Sequence, residues 1–403
     1  MFFSFKKICI ESPTPTTQAG HISQTYLLDE YHDHLYARVA GFKENGTWLI
    51  HVSLDLLSFD MKKWKKLQAR IREAYGDDNI KVISSSTHTH YANKPDDEKY
   101  EPWLLDTLVE GITTMEYAEY EDVQTTYQYV PCQVVGKSRI SGYETNNEFL
   151  CLLSFYSKGK NFFNWIIHNC HPTILKAETH FFSAEFPGFL LKKLEDNYDA
   201  AFTSCSGAQG DISSRFVRDD QTYASVEKLG TNLFNEVKKL MEDEDKNYVP
   251  FKLEYKAVPF TYRHSFTPLD LSNIRSDLSQ RELETIEFGK IMRERLKKRV
   301  EDNGLENSVI TDMNVVKVDF GSISFVFFPN EIFSEYLNEF DLDKKMLVSY
   351  SNGYGPYVLP IGFPYVTYEM FTDTITDDCK RELIEIFRCR YFLHHTTFVY
   401  LVG

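Results

Sequence analysis

The sequence predicts an α/β fold in which mixed β-sheets pack against helices and the functional groups lie at strand ends. Apolar runs of strand length alternate with longer stretches of helical period along most of the chain. Several of the apolar runs are followed directly by histidine, aspartate, glutamate or tyrosine. The carboxyl ends of strands are where α/β proteins usually bind ligands. Because no low-complexity linker or internal repeat interrupts the sequence, we expect a single domain over residues 1–403.

A β-α-β unit is the first clear element of this pattern. Residues 48–54 and 81–86 are apolar and are predicted to form two parallel strands. The helix between them is predicted to begin after Asp60, which can cap it, and to end at Gly76. The second strand leads directly into His88-Thr89-His90. The unit therefore places two histidines at the carboxyl end of a buried strand.

The rest of the chain continues with both kinds of element. Further helices are predicted at 101–120, 186–198 and 221–244. Further strands are predicted at 123–135, 149–156, 161–167, 201–204 and 347–350, as two runs between 251 and 263, and as a hairpin over 314–328 that turns at Gly321. Residues 269–302 are charged and have a helical period, which indicates an insertion, either a surface helix pair or a lid.

Charge and composition exclude several classes of function. The formal net charge of -15 argues against a general nucleic-acid binder and against a polybasic membrane patch. No segment has the roughly 18–20 apolar residues that a membrane span requires, and the first residues do not have the pattern of a secretory signal. The seven cysteines show no Cys-x-x-Cys spacing, so a reduced, cytoplasmic protein is expected. Its partner is expected to be a small molecule held in a pocket.

The two histidines of His88-Thr89-His90 are the first candidate site. Residues i and i+2 of an extended chain point to the same side, so both imidazoles can face one cavity. Imidazole is a common metal ligand, but two ordinary hydrogen-bonded histidines would give the same pattern.

Four further candidates also follow apolar strands, and each has a plain structural alternative. His171 before Pro172 could be a buried, hydrogen-bonded histidine. Glu331 could be favoured by the dipole at a helix N-terminus. Tyr357 could serve only packing, and Asp211 and Ser213 could form an ordinary turn followed by a helix cap.

These segments, in this order, resemble the catalytic domain of the neutral ceramidases, including shorter bacterial proteins related to them. The resemblance covers about residues 20–370. The similar stretches are HDHLYARVAGFKENGTWLIHVSLDLLSFD, ISSSTHTH, NCHPTI, SAEFPG, GAQGDISSR, PNEIF and SNGYGPYVLP. The resemblance implies a ceramidase-like catalytic domain, without the immunoglobulin-like domain that follows it in the family.

The resemblance also implies a zinc site. That family binds Zn²⁺ through two histidines, a glutamate and a tyrosine, and the matching positions are His88, His171, Glu331 and Tyr357. Such a set leaves room for a water whose pKa the metal lowers to about 7. A neutral tyrosine is a poor ligand, so we expect a long distance between the Tyr357 oxygen and the metal, or a tyrosine that exchanges with another ligand.

Four catalytic positions are expected, of which the resemblance implies three and the place of His90 on the same face as His88 gives the fourth. His90 would move protons near the water, Arg139 would hold an oxyanion or a carboxylate, and Ser213 would act as a nucleophile or as a donor to substrate. Tyr368 lies near the family's second active-site tyrosine if one gap is allowed.

The sequence departs from the family around these positions. Tyr91-Ala92-Asn93 replaces its Ser-Gly-Pro, and Ser213-Ser214 replaces its Ser-Pro. These changes leave the zinc set intact and leave the substrate open. We expect a zinc-dependent amidohydrolase acting on an N-acyl or peptide-like small molecule. An esterase or lactonase on the same site, or a binding protein without catalysis, remains an alternative.

Overall fold

The computed structural model describes residues 1–20, 26–302, 310–321 and 323–388. Within them the α-helices are α1 (Met61–Tyr75), α2 (Tyr100–Thr113), α3 (Glu185–Asn197), α4 (Tyr223–Glu242), α5 (Gln280–Asp302), α6 (Tyr368–Thr372) and α7 (Asp377–Arg388). The strands are β1 (Phe2–Cys9), β2 (Tyr36–Glu44), β3 (Thr47–Leu54), β4 (Lys81–Ser86), β5 (Ala118–Glu119), β6 (Val123–Pro131), β7 (Lys137–Ser138), β8 (Phe149–Ser157), β9 (Lys160–His168), β10 (Ala201–Ser206), β11 (Ile212–Ser213), β12 (Val249–Pro250), β13 (Leu253–Arg263), β14 (Ile310–Phe320), β15 (Ser324–Phe327), β16 (Glu331–Ile332), β17 (Lys345–Val348) and β18 (Tyr357–Val358). Two 3₁₀ helices cover Ser214–Phe216 and Ser334–Glu339.

The first sheet has the strand order β4-β3-β2-β1-β5 and contains the predicted β-α-β unit. β3 and β4 pair in parallel and are connected by α1. The Asp60 carboxylate accepts the backbone N–H of Lys63 at 2.9 Å, which caps the start of α1. Gly76 ends the helix with a left-handed φ of 62°. The prediction of this unit, including both helix ends, is confirmed.

The second sheet has the order β10-β9-β8-β6-β12 and carries the layer formed by α3 and α4. The predicted hairpin of β8 and β9 is confirmed, and β10 pairs in parallel with β9 after the α3 crossover. All of β8 except its last residue is buried because the helices cover one face and the central core covers the other.

The third sheet has the order β13-β14-β15-β17, and here the structure corrects the sequence prediction. Residues 251–263 were predicted as two strands, but Leu253–Arg263 form the single strand β13, which pairs with β14 along its whole length. The hairpin turn at Gly321 is confirmed, with a φ of 82°. A continuous hydrophobic core contains residues of all three large sheets, among them Phe42, Trp165 and Phe320.

Two predicted helices also differ from the structure. The helix expected over 101–120 ends at Thr113, and the chain then forms the short edge strand β5. Residues 269–302 contain one helix, α5, rather than a helix pair, because residues 269–279 are irregular. α5 packs against α6.

The carboxyl ends of β4 and β10 are tied together with the segment that follows β17. The Ser206 hydroxyl donates to the Thr87 carbonyl at 3.1 Å, and the Ser349 N–H donates to the Ser206 carbonyl at 2.8 Å. The Ser86 N–H donates to the Tyr350 carbonyl at 3.3 Å. Small serine side chains allow this close approach. The residues that follow these segments are therefore gathered at one place.

Six cysteines in the described ranges, Cys9, Cys132, Cys151, Cys170, Cys205 and Cys379, form no disulfide, and Cys389 lies outside those ranges. Of the helices in the described part of the chain, none is both long enough and apolar enough to cross a membrane.

Candidate metal and catalytic site

The four residues of the expected metal set all lie at strand ends. His88 follows β4, and His171 follows β9. Glu331 opens β16 and Tyr357 opens β18, and these two residues are direct partners in a parallel pairing. His171 forms an isolated bridge to Ser213. The fold therefore brings together segments that are far apart in the sequence.

His88 is held in a fixed orientation by its backbone and by its ring. Its backbone lies in the left-handed region, with a φ of 65°, which is uncommon for a residue other than glycine. Nδ1 lies 2.7 Å from the carbonyl oxygen of Leu57, and the ring stacks on Tyr350 with 3.9 Å between centroids and 9° between planes. Because Nδ1 donates to the carbonyl, the lone pair of Nε2 is left for a ligand.

His171 is arranged in the same way from another segment. It is fully buried, and its Nδ1 lies 3.1 Å from the carbonyl oxygen of Ile212. Its Nε2 lies 3.2 Å from Oε2 of Glu331. His171 is therefore buried and hydrogen-bonded, as the structural alternative expected. Its second ring nitrogen, however, faces a carboxylate rather than the hydrophobic core.

The carboxylate of Glu331 is the meeting point of the cluster. Its Oε2 lies 3.2 Å from Nε2 of His171 and 3.7 Å from Nε2 of His88. Its Oε1 accepts the hydroxyl of Tyr354 at 2.5 Å. Glu331 begins a two-residue strand rather than a helix, so the alternative of a helix N-terminal carboxylate is wrong.

Burial sets the protonation states in this cluster. It lowers the pKa of His88 to about 3, and it lowers the pKa of His171, which the charge of Arg139 lowers further. Burial alone would raise the pKa of Glu331, but His88, His171 and Tyr354 outweigh it and lower that pKa to about 2. At neutral pH the cluster consists of neutral imidazoles and one carboxylate, which are the forms that bind a metal cation.

His90 completes a group of three imidazoles. One ring nitrogen each of His88, His90 and His171 lies within 4.8 Å of the others, so the group could bind a metal ion. The His90 ring packs tightly on Gly20, where an added Cβ would lie 2.6 Å from Nδ1. Imidazole nitrogens with one carboxylate oxygen are a donor set that suits Zn²⁺. The residues present therefore fit the expected metal.

Arg139 lies beside the cluster and connects it to Tyr357. One terminal nitrogen of its guanidinium donates to the Tyr357 hydroxyl at 2.9 Å and to the Gly210 carbonyl at 2.7 Å. The same nitrogen lies 2.8 Å from a carboxylate oxygen of Glu369, with which it forms an ion pair. Burial would lower the pKa of Arg139, but Tyr357 and Glu369 raise it. The Nε atom is buried and has no hydrogen-bond partner in the described part of the chain. The side chain as a whole is 20% exposed, so a substrate oxygen can reach an accessible nitrogen of the guanidinium.

Ser213 and Tyr368 lie in the same region but make different contacts. The Ser213 hydroxyl accepts the backbone N–H of Arg215 at 3.3 Å, so the expected helix-cap role is present at a 3₁₀ helix. Tyr368 opens α6 and stacks on Phe288 of α5 with 5.8 Å between ring centroids. It also meets the Tyr357 ring edge to face at 6.1 Å.

A cavity of about 880 Å³ contains this region. Seven of the eight predicted site residues line it: His88, His90, Arg139, Ser213, Glu331, Tyr357 and Tyr368. The eighth, His171, is fully buried behind them. Residues of α5 and of the segment before it form part of the cavity wall.

Three residues of the site were not identified from the sequence. Tyr350 stacks on His88, Tyr354 donates to Glu331, and Glu369 pairs with Arg139. Tyr354 lies in the same Gly-Tyr-Gly-Pro-Tyr turn as Tyr357, so its position was available. Glu369 follows Tyr368 directly, but no local pattern distinguishes it from a surface carboxylate.

Comparisons with known proteins agree with this fold. No family model matches the sequence, and no curated protein matches it either. A solved ceramidase complexed with C2 has 13% sequence identity to this chain, with a TM-score of 0.70 over 96% of this chain and 74% of its own. A crystal structure of neutral ceramidase from Pseudomonas aeruginosa has 14% identity and a TM-score of 0.69, over 96% and 73% of the two chains. The chain therefore has the neutral ceramidase fold. The expected α/β architecture of mixed sheets packed with helices is confirmed.

Proposed function

We propose that this protein is a zinc-dependent hydrolase of the neutral ceramidase type, which cleaves an amide bond of a small N-acyl compound with a metal-activated water. The observation that supports this most directly is the convergence of three ligand atoms. Nε2 of His88 and Nε2 of His171 both lie within 3.7 Å of Oε2 of Glu331, beside a large cavity. The shared fold agrees with the proposal.

In this proposal His88, His171 and Glu331 hold Zn²⁺, and Tyr357 is a weak, exchangeable fourth ligand. His90 lies close enough to serve as a further ligand or as a proton carrier. When bound at such a site, Zn²⁺ lowers the pKa of a water molecule to about 7 and so supplies a nucleophile at neutral pH. The carbonyl groups of Leu57 and Ile212 fix the two imidazoles in the orientation that binding requires.

The chain's own groups then have distinct tasks. Arg139 lines the cavity and donates from its guanidinium to the carbonyl oxygen of the substrate, which stabilises the negative charge that develops there. The contacts of Arg139 with Tyr357 and Glu369 hold its guanidinium in place, so the group does not have to move during the reaction. His90 accepts the proton from the attacking water and delivers it to the leaving amine. Ser213 lines the cavity and donates a hydrogen bond from its hydroxyl to the substrate.

The test combines metal content with turnover. The wild-type protein, stripped with a chelator and reloaded with Zn²⁺, is assayed on an N-acyl amine and on the ester that has the same acyl chain. We expect about one zinc per chain and amide hydrolysis. His171→Ala should lose the zinc and lower the rate by more than about 100-fold. His34→Ala is the matched control, because that ring is exposed and distant from the cluster.

The possible results separate the alternatives. Ester cleavage without amide cleavage would favour the esterase or lactonase. Zinc binding with a tightly held ligand that is never converted would favour the binding protein. No zinc in the wild-type protein, or full turnover in His171→Ala, would overturn the proposal.

A further inference from the structure

The cavity extends well beyond the candidate metal ligands, and its outer wall has two different surfaces. One surface is apolar and includes Ile286, Phe288 and Met292 of α5 together with Val366. The stacking of Phe288 on Tyr368 places this surface next to the catalytic groups. It is suited to an acyl chain or another apolar group.

The second surface carries three arginines from two separate segments. Arg215 and Arg218 follow the turn that contains Ser213, and Arg281 lies in the first turn of α5. Across the described ranges, neither Arg218 nor Arg281 has a carboxylate partner within ion-pair distance. Arg215 lies 3.7 Å from Glu282, whose carboxylate also accepts from Ser141 and Ser279. Among the described residues, the Glu282 carboxylate is therefore the only one within ion-pair distance of any of these three arginines.

Arg218 is the most constrained of the three. It is half-buried, and one of its terminal nitrogens donates to the carbonyl of Thr173 at 2.5 Å and to that of Ile174 at 3.3 Å. Burial lowers its pKa; the charges of Arg281 and Arg215 lower it further, whereas Tyr91 and Glu185 act in the opposite direction. Like charges held together in a partly buried wall repel one another, and this repulsion is relieved when an anion binds between them.

We propose that the substrate carries an oxyanion, a carboxylate or a phosphate, in addition to the bond that is cleaved, and that Arg215, Arg218 and Arg281 bind it. This inference rests on the proposed function for the cleavage itself, but not for the binding of the anion. Guanidinium groups are suited to both anions because their donors match two oxygens at once. The apolar surface beside them receives the remaining part of the molecule. An acidic N-acyl compound fits this cavity better than a neutral lipid amide.

The test uses N-dodecanoyl compounds that share one chain and differ in the head group. N-dodecanoyl-glycine carries a carboxylate, N-dodecanoyl-ethanolamine phosphate carries a phosphate, and N-dodecanoyl-glycinamide is the neutral control. A further pair of compounds places the anion on the acyl side of the cleaved bond instead of the amine side. In this pair the acyl chain ends in a carboxylate, and its control ends in the corresponding neutral amide. Binding is measured by calorimetry on the zinc-loaded protein at low salt, and turnover is measured separately.

We expect at least one acidic compound to bind about tenfold or more tightly than its neutral control, and the stronger head group identifies the anion. Arg281→Gln should remove most of this preference, since the residue is exposed and its replacement should not disturb folding. Arg295→Gln, an exposed arginine on the same helix that does not line the cavity, should keep it.

Two results would overturn the inference: equal binding of the acidic and neutral compounds, or an unchanged preference in Arg281→Gln. A clear preference without any turnover would count against the proposed hydrolase while supporting the anion site. Cleavage of only the neutral compounds would support the proposed hydrolase and count against the anion site. The two proposals can therefore fail separately.

Discussion

Glu331 and Tyr357 lie directly opposite each other in a parallel pairing of two short strands, although 25 residues separate them in the chain. This pairing places one carboxylate and one phenol on the same side of the cavity. The carboxylate turns toward His88 and His171, and the phenol accepts a hydrogen bond from Arg139. The pairing thus joins the candidate metal ligands to the candidate oxyanion-binding group.

Glu331→Gln should remove metal binding while keeping the fold. The amide has nearly the same volume, but it lacks the charge that attracts a dication and that balances the neighbouring groups. We expect zinc affinity to fall by about 100-fold or more. Metal titration with a competing chelator measures this change, and circular dichroism verifies the fold. Glu339→Gln, at an ion pair distant from the cavity, serves as the control, and equal zinc affinity in both variants would contradict the role of Glu331.

The two tyrosines of the Gly-Tyr-Gly-Pro-Tyr turn should differ in their effects. Tyr354→Phe removes the hydrogen bond to Oε1 of Glu331, so we expect zinc affinity to fall by about 10-fold to 100-fold. Tyr357→Phe removes the contact with Arg139 and should lower kcat more than it lowers zinc affinity. Each variant is the control for the other, in metal titrations and in steady-state kinetics. The assignment is wrong if Tyr357→Phe loses more zinc affinity than Tyr354→Phe.

The sequence was informative where a local pattern has one structural solution. Asp60 and Gly76 mark the ends of α1 because one caps the N-terminus and the other accepts a left-handed backbone. His88 and His171 could be placed at strand ends because each follows an apolar run of strand length. The contacts of Tyr350 with the His88 ring and of Glu369 with Arg139 depend on which segments meet in space. No spacing rule in a single sequence contains that information.

The strand boundaries show the same limit. Residues 251–263 are predicted to form two β runs, but β14 offers a partner of full length, and one continuous strand satisfies more backbone hydrogen bonds. The charged residues 269–302 predicted helix by period, but α5 begins only at Gln280. Ser279 and Glu282 form a capping box there: the Glu282 N–H donates to the Ser279 hydroxyl at 3.3 Å, and the Ser279 N–H donates to the Glu282 carboxylate at 2.9 Å. A tertiary partner thus decided the first case, whereas in the second a local start signal was missed.

Gly20→Ala should impair catalysis through His90. The backbone at Gly20 has a φ of +84°, and the added methyl would lie 2.6 Å from Nδ1 of His90. We expect a several-fold loss of kcat, with the zinc content nearly unchanged if His90 moves protons. Gly46→Ala is the matched control, with a φ of +77° and no atom within 4 Å of the added methyl. Both variants should lose about 1 kcal/mol of stability from the strained backbone, but only the first should lose activity. Equal activity in the two variants would show that the position of the His90 ring is unimportant.

Glu185 should make the protein less stable as the pH rises. Its side chain is completely buried; Oε1 accepts the backbone N–H groups of Ile174 and Leu175, and Oε2 has no partner in the described part of the chain. Burial raises its pKa from 4.5 to about 8, although those two hydrogen bonds act in the opposite direction. Between these values the folded protein holds a proton that the unfolded chain has released. The stability that this group contributes is therefore complete below about pH 4.5 and is lost as the pH rises toward about 8.

Glu185→Gln removes this titration and resembles the protonated acid in shape. Relative to the wild type, the variant should differ by less than about 1 kcal/mol at pH 5 and be more stable by about 4 to 5 kcal/mol at pH 8.5, because the pKa is raised from 4.5 to about 8 and each pKa unit corresponds to about 1.4 kcal/mol. Urea unfolding at both values measures the difference. Glu178→Gln, which replaces an exposed glutamate in a nearby segment, should show no such trend. An equal gain in stability of the Glu185 variant at both pH values would show that this side chain is not protonated in the folded protein near neutral pH. Its two backbone hydrogen bonds would then be made to a buried carboxylate.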